Sequence, residues 1–222
     1  MKQCIDIALK DLKAEFRTKQ MLNTMIIFSI LVIVIFSFSF SESLGDQKRI
    51  TELTPGILWI AFTFAGMLGL SRAFAGEKEE GCLDGLKLCP IDRSVIYVGK
   101  VISNLVLMFI IEAVTLLIFI VLFNYSFKGI LALASVIIVG TFGFIFVGTL
   151  LSALTVNTRT REILLPVLLI SVLIPMIMSA VGGTSRVLSN NSFPSTELNL
   201  LIVYDIIYFI VAMLVFEYAI ED

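Results

Sequence analysis

Six long apolar runs decide what this chain can become: Met21–Phe40, Pro55–Ala75, Val101–Phe123, Gly129–Val156, Ile163–Val181 and Leu198–Phe216. Each is close to or above the roughly 20 apolar residues that a helix needs to cross a bilayer. With 58% hydrophobic and 15% charged residues over 222 positions, a soluble core could not take in so much apolar surface, whereas a bilayer can. Inside hydrocarbon every backbone group must be satisfied internally, so the runs read as helices. The expected fold class is all-α: a polytopic membrane protein with six transmembrane helices, forming one membrane domain over residues 1–222. A net charge of −2 argues against a nucleic-acid partner, which calls for a basic face. About twenty mixed-charge residues precede the first run and no A-x-A site follows it, so no cleavable signal is expected.

The leader, residues 1–20, places Ile5, Leu9, Leu12 and Phe16 on one helical stripe, with Asp6, Lys10, Lys13 and Arg17 on another face. Beside a span, such a helix lies in the membrane interface; an ordinary solvated leader helix is the alternative. Orientation follows from Lys and Arg in the short connections. The leader carries Lys2, Lys10, Lys13, Arg17 and Lys19. The second loop carries Arg72, Lys78, Lys87, Arg93 and Lys100, and the fourth Arg159 and Arg161. Opposite them stand Lys48 and Arg49, Lys128, and Arg186. Both termini and the second loop are therefore expected in the cytosol of a prokaryotic cell, with the spans in its inner membrane.

That second loop, residues 72–100, is the one long charged stretch between apolar runs. Its acidic residues Glu77, Glu79, Glu80, Asp84 and Asp92 balance its basic ones, so it is no lipid-binding basic patch. Leu83, Leu86 and Leu88 form a short apolar ridge, Gly81 and Gly85 loosen the backbone, and Pro90 ends a helix. A short amphipathic cytosolic helix between two spans is a shape that a soluble partner grips, so Glu80, Gly81, Leu83, Gly85, Leu86, Leu88 and Pro90 are the candidate coupling residues.

Several spans carry packing marks. Ala61, Ala65, Gly69 and Ala73 recur every four residues, and Gly140, Gly143, Gly148 and Ser152 thin the fourth run. Pro175 should kink the fifth. Gly182-Gly183 and Ser189–Ser195 read as a polar outer loop. Two carboxylates, Glu112 and Asp205, fall inside runs, and no Lys or Arg lies in the interior of any run to pair with them. An ionised carboxylate there is expensive, so each is protonated, hydrated or held by neutral donors. Thr115 is one turn from Glu112, and Tyr204 and Tyr208 flank Asp205. They line a translocation or subunit interface, or they share a hydrogen bond with a neighbouring helix.

Catalysis finds little footing. The chain has no His, which removes the usual general base and the commonest haem and transition-metal ligand. Cys4, Cys82 and Cys89 form no CxxC pair, so neither a metal site nor a disulfide framework is expected. A P-loop needs G-x-x-x-x-G-K-[ST]; Gly99-Lys100 has Ser94 where the first Gly belongs and Val101 after it. The chain is expected to be no enzyme and to bind no cofactor of its own.

These residues resemble the ABC-2 type permeases, in whose second loop an acidic residue, Gly, a small residue and Leu precede a Pro. Here that is Glu80-Gly81-Cys82-Leu83 with Pro90 downstream and Gly99-Lys100 opening span three. Within that group the chain is most similar to the cytochrome c maturation protein B, or haem exporter protein B, family. The pieces are Lys10-Asp11-Leu12 and Glu15-Phe16-Arg17, Pro55-Gly56-Ile57-Leu58-Trp59, Leu70-Ser71-Arg72, Gly81-Cys82-Leu83-Asp84-Gly85-Leu86 and Ala153-Leu154-Thr155-Val156. Cys82 stands where Ser or Thr is common. The resemblance implies a homodimeric transport permease driven by a separate ATP-binding cassette subunit and working with other cytochrome c maturation membrane proteins. Its implied task is haem export, or ATP-driven release of a haem-loaded chaperone. Haem would be cargo or held by partners, by apolar contact rather than a His ligand. Two other functions remain open: a generic ABC-2 permease for a drug, lipid or polysaccharide, and a non-transporting scaffold that couples an ATPase to a chaperone complex.

Overall fold

The computed structural model describes residues 2–40, 46–74, 92–125, 127, 129–156, 158, 160–190 and 192–221. They form seven helices: α1 (Lys2–Thr18), α2 (Gln20–Ser39), α3 (Gln47–Arg72), α4 (Arg93–Phe123), α5 (Ile130–Thr155), α6 (Arg161–Asn190) and α7 (Ser195–Glu221). The 6 helices α2 to α7 are long and apolar enough to cross a membrane, so the chain is a multi-pass membrane protein. The helix α5 packs on α3, α4, α6 and α7; α3 packs on α2, α4 and α6 as well; α1 lies along the start of α4.

Four helices, α3, α4, α6 and α7, outlast the apolar runs that announced them. Eight residues ahead of Pro55, α3 begins, because Asp46 caps it by accepting from the backbone amides of Lys48 (3.1 Å) and Arg49 (3.4 Å). Likewise α4 begins at Arg93 rather than Val101, so the last eight residues of the expected 72–100 loop are helix. The expected polar outer loop at Gly182-Gly183 is also helix, since α6 runs on to Asn190. Tertiary contacts hold that turn. The indole Nε1 of Trp59 donates to Thr184 Oγ1 at 3.0 Å, and Arg186 pairs with Glu197 of α7 at 2.8 Å. A Cβ on Gly183 would sit 3.3 Å from that of Glu197, so the absent side chain lets α6 and α7 meet. Pro166 and Pro175 both lie within α6, which continues through them.

The small residues serve as sockets between helices. Ala61 and Ala65 are fully buried, and Gly69 lies against Met21 and Met25 of α2. In α5, Gly140 lies under the Trp59 ring and Gly148 under Leu70, both side chains of α3; Gly66 of α3 faces Phe144 and Met108.

The leader helix is three-sided. Ala8 is buried, and Cys4, Ile7, Asp11, Leu12 and Glu15 are half-buried on the side toward the bundle. Three of the four residues of the expected apolar stripe turn away, Ile5, Leu9 and Phe16 at 49%, 46% and 48% exposure, while the fourth, Leu12, packs against the core instead. The polar residues Asp6, Lys10, Lys13 and Arg17 form the third side. At about 100° per residue these sides lie roughly a third of a turn apart, as suits a helix with protein, lipid and water on its three flanks. A left-handed Lys19 (φ 54°) makes the elbow into α2, and Glu15 Oε1 there accepts from Leu22 N at 2.8 Å.

Candidate functional site: the α1 end of the bundle and the buried carboxylates

The candidate coupling residues Glu80, Gly81, Leu83, Gly85, Leu86, Leu88 and Pro90 lie outside the described residues. Their flanks are described, and they form a packed platform. Phe74, just past the end of α3, is 1% exposed, and its ring centroid lies 6.3 Å from that of Phe216 on α7. Tyr97, in the first turns of α4, meets the same Phe216 at 5.0 Å and donates its hydroxyl to Phe146 O of α5 at 3.0 Å. One aromatic group thus binds both ends of the 75–91 stretch to α5 and α7.

Lys100 belongs to this platform. Expected as the last residue of a loop, it is instead buried within α4. Its Nζ lies 2.9 Å from Asp11 Oδ2 on α1, as an ion pair that is not aligned as a hydrogen bond. It also donates to Ala73 O at 3.3 Å and stands 5.2 Å from the Phe74 ring centroid. Beside it, a Cβ on Gly99 would come within 2.9 Å of Ile7, so the glycine brings α1 flush onto α4. The sequence places Asp11 in the leader helix and puts Lys100 at the end of the loop rather than inside α4. Nothing in it pairs the two, since Asp11 is one of three acidic residues, with Asp6 and Glu15, in a leader that also carries five Lys and Arg.

Deeper in, polar groups tie helix to helix. Ser152 Oγ donates to Leu70 O at 2.6 Å, and Asn104 Nδ2 to Thr149 Oγ1 at 3.1 Å. A small cavity beside them is lined by Ser71, Ser152, Thr155, Val156, Arg161 and Leu165.

The two intramembrane carboxylates both face α5 and take different partners. Glu112 is 2% exposed, and its Oε1 meets Thr141 Oγ1 at 2.5 Å. A hydrogen bond to a neighbouring helix is one of the two expectations, and the residue that makes it, which the sequence leaves open, is Thr141 of α5. The foreseen Thr115 donates instead to its own helix, to Ile111 O at 2.7 Å. Thr141 Oγ1 also lies 2.8 Å from Ile137 O, the usual backbone acceptor of a helical Thr. Asp205 is half-buried, and its Oδ1 lies against Gly143, where a side chain on α5 would fill its place. Of the flanking tyrosines, Tyr204 donates to Val172 O of α6 at 3.2 Å and packs at a tilt against Tyr208, with ring centroids 4.3 Å apart. Glu112 and Asp205 thus sit in two separate helix contacts, α4–α5 and α5–α7. Among the described residues no three His, Cys, Asp or Glu gather as a metal site would require.

Against known proteins, the model of the family described as CcmB protein matches residues 2–222. Among curated proteins, the chain is 26% identical over 170 residues to the heme exporter protein B of Rhodobacter capsulatus, covering 76% of each chain. It is 24% identical over 163 residues to that of Bradyrhizobium diazoefficiens, 73% of this chain and 72% of the other. With that of Escherichia coli K12 the likeness is 26% over 94 residues, 42% of this chain and 41% of the relative.

Proposed function

Because the chain belongs to the CcmB protein family, we propose that it is the membrane permease subunit of a transporter for cytochrome c biogenesis, acting in haem export or in ATP-driven release of a haem-loaded chaperone. The match of the family model across residues 2–222 carries this reading, and three relatives whose name is heme exporter protein B support it. The whole chain, residues 1–222, is one permease domain. ATP is hydrolysed by a separate ATP-binding cassette subunit, and the permease works as a homodimer beside other cytochrome c maturation membrane proteins.

The division of labour follows from the residues. The partner ATPase takes hold of Glu80, Gly81, Leu83, Gly85, Leu86, Leu88 and Pro90, with the leucines as anchors in a groove and the charges setting register. Both termini and this segment face the cytosol of the inner membrane, and α1 lies in the interface with its stripe in lipid. Haem is cargo: this chain has no His to ligate it, so its contacts here are apolar or made through partners. Glu112 and Asp205 act as intramembrane polar contacts between helices.

The test is complementation. In a cell that makes c-type cytochromes and lacks its own copy of this subunit, the chain expressed with its ATPase partner restores covalent haem on those cytochromes. Normal expression and membrane insertion with no restoration in the native host would refute the reading.

A further inference from the structure

Lys100 is 3% exposed, a costly position for a strongly hydrated ammonium. A Leu or Met of similar length would fill the same space without that penalty, so packing alone does not account for it. What the charge adds is direction. It reaches Asp11 on α1, Ala73 O at the end of α3, and the face of Phe74, three points on two other segments. Beyond this pair, α1 packs on the bundle through buried Ala8, half-buried Ile7 and Leu12, the close approach of Cys4 and Ile7 to Gly99, and Glu15 at the elbow. To these the ion pair adds a charged contact that ties the rotation of α1 to α4 and, through Ala73 O, to the end of α3. A turn of α1 about its own axis would carry Asp11 away from Lys100 and bury Ile5, Leu9 or Phe16 against protein.

We propose that Lys100 is a positioning residue that locks α1 to the ends of α3 and α4 flanking residues 75–91, so that the three move as one body. Its consequence for transport rests on the proposed function, in which 75–91 receives the ATPase's movement; the lock itself stands without that reading. Movement delivered at Phe74 and Asp92 then turns the membrane-surface helix along with the bundle instead of being lost at the α1–α4 contact.

Cys4 reports on the lock directly, being half-buried with its carbonyl oxygen beside Gly99. In full-length chain carrying Cys82→Ser and Cys89→Ser, in native membranes with the ATPase co-expressed, maleimide labelling of Cys4 is timed. Lys100→Met should raise the labelling rate about tenfold or more, the change given by a 1.4 kcal/mol loss of docking. Lys100→Arg, which keeps the charge in a larger head, should label more slowly than Lys100→Met. Asp11→Asn should resemble Lys100→Met, and the double variant should label no faster than the faster single one, because both remove the same contact. Cytochrome c formation should fall in Lys100→Met while the ATPase still co-purifies. Unchanged labelling in Lys100→Met, or labelling rates that multiply in the double variant, overturns the lock. If Lys100→Met fails to accumulate, Asp11→Asn decides alone by the same labelling. Faster labelling with full cytochrome formation also overturns the proposal, since α1 would then be free without consequence. A parent chain that never supports cytochrome formation refutes the proposed function instead, and the labelling still judges the lock.

Discussion

Gly140→Ala should unseat Trp59, and the structure says by how much. A Cβ at Gly140 would come within 3.1 Å of Trp59 Cζ2 and 3.2 Å of Cζ3, with Cη2 closer still. The ring cannot swing aside, because Trp59 is 3% exposed and its Nε1 is committed to Thr184 Oγ1 at 3.0 Å. Forcing a methyl into such a contact costs about 1–3 kcal/mol. Breaking the indole bond adds roughly 1 kcal/mol. Ala recovers up to ~1 kcal/mol through helix propensity, leaving a net loss of about 1–3 kcal/mol. Gly56 is the control: a Cβ there meets nothing within 4 Å, so Gly56→Ala should be neutral or mildly stabilising. At roughly 2–4 °C per kcal/mol for a chain of this size, Gly140→Ala should melt some 5 °C below the parent. Trp59 is the sole tryptophan, so its fluorescence in the detergent-purified chain reads both unfolding and local repacking. Equal stability of Gly140→Ala and Gly56→Ala, with the parent's emission maximum in both, would refute the socket argument.

Two further outcomes are expected. Glu112→Gln should retain most activity, because an amide offers both a donor and an acceptor to Thr141, whereas Glu112→Leu removes the interhelical contact and should lower assembly or activity. Complementation of cytochrome c formation and the yield of intact complex check this, and equal damage by both variants would require a charged carboxylate. In a Cys4→Ser background, Cys82 and Cys89 should react with membrane-impermeant thiol reagents in inverted vesicles and not in intact cells. Labelling from outside intact cells would reverse the topology.

The apolar runs made the six spans plain because length and hydrophobicity alone determine what enters a bilayer. Their ends were less legible. Gln47–Thr54 and Gly182–Asn190 are polar enough to pass for loop, yet the Asp46 cap and the Trp59–Thr184 and Arg186–Glu197 contacts keep them helical. Spacing along one helix suggested Thr115 as a partner for Glu112; the actual neighbour, Thr141, comes from a different helix at a separation no local pattern encodes. The same holds for Asp11 and Lys100. The glycines of the fourth run, by contrast, were read correctly as places of close approach, since a missing side chain means room whichever helix fills it.

In the proposed function this chain is a permease moved by a separate ATPase through residues 75–91. Leu83 and Leu86 lie three apart in the sequence, the spacing that two residues on one helix face would have, and Leu88 follows before Pro90. An anchor leucine at such an interface contributes roughly 2 kcal/mol or more, and an aspartate in its place also buries a charge. Co-purification of the ATP-binding subunit with the tagged chain from solubilised membranes tests this directly. Leu83→Asp and Leu86→Asp should each abolish it while the permease remains inserted and dimeric; undiminished binding of the ATPase to both variants would contradict the account.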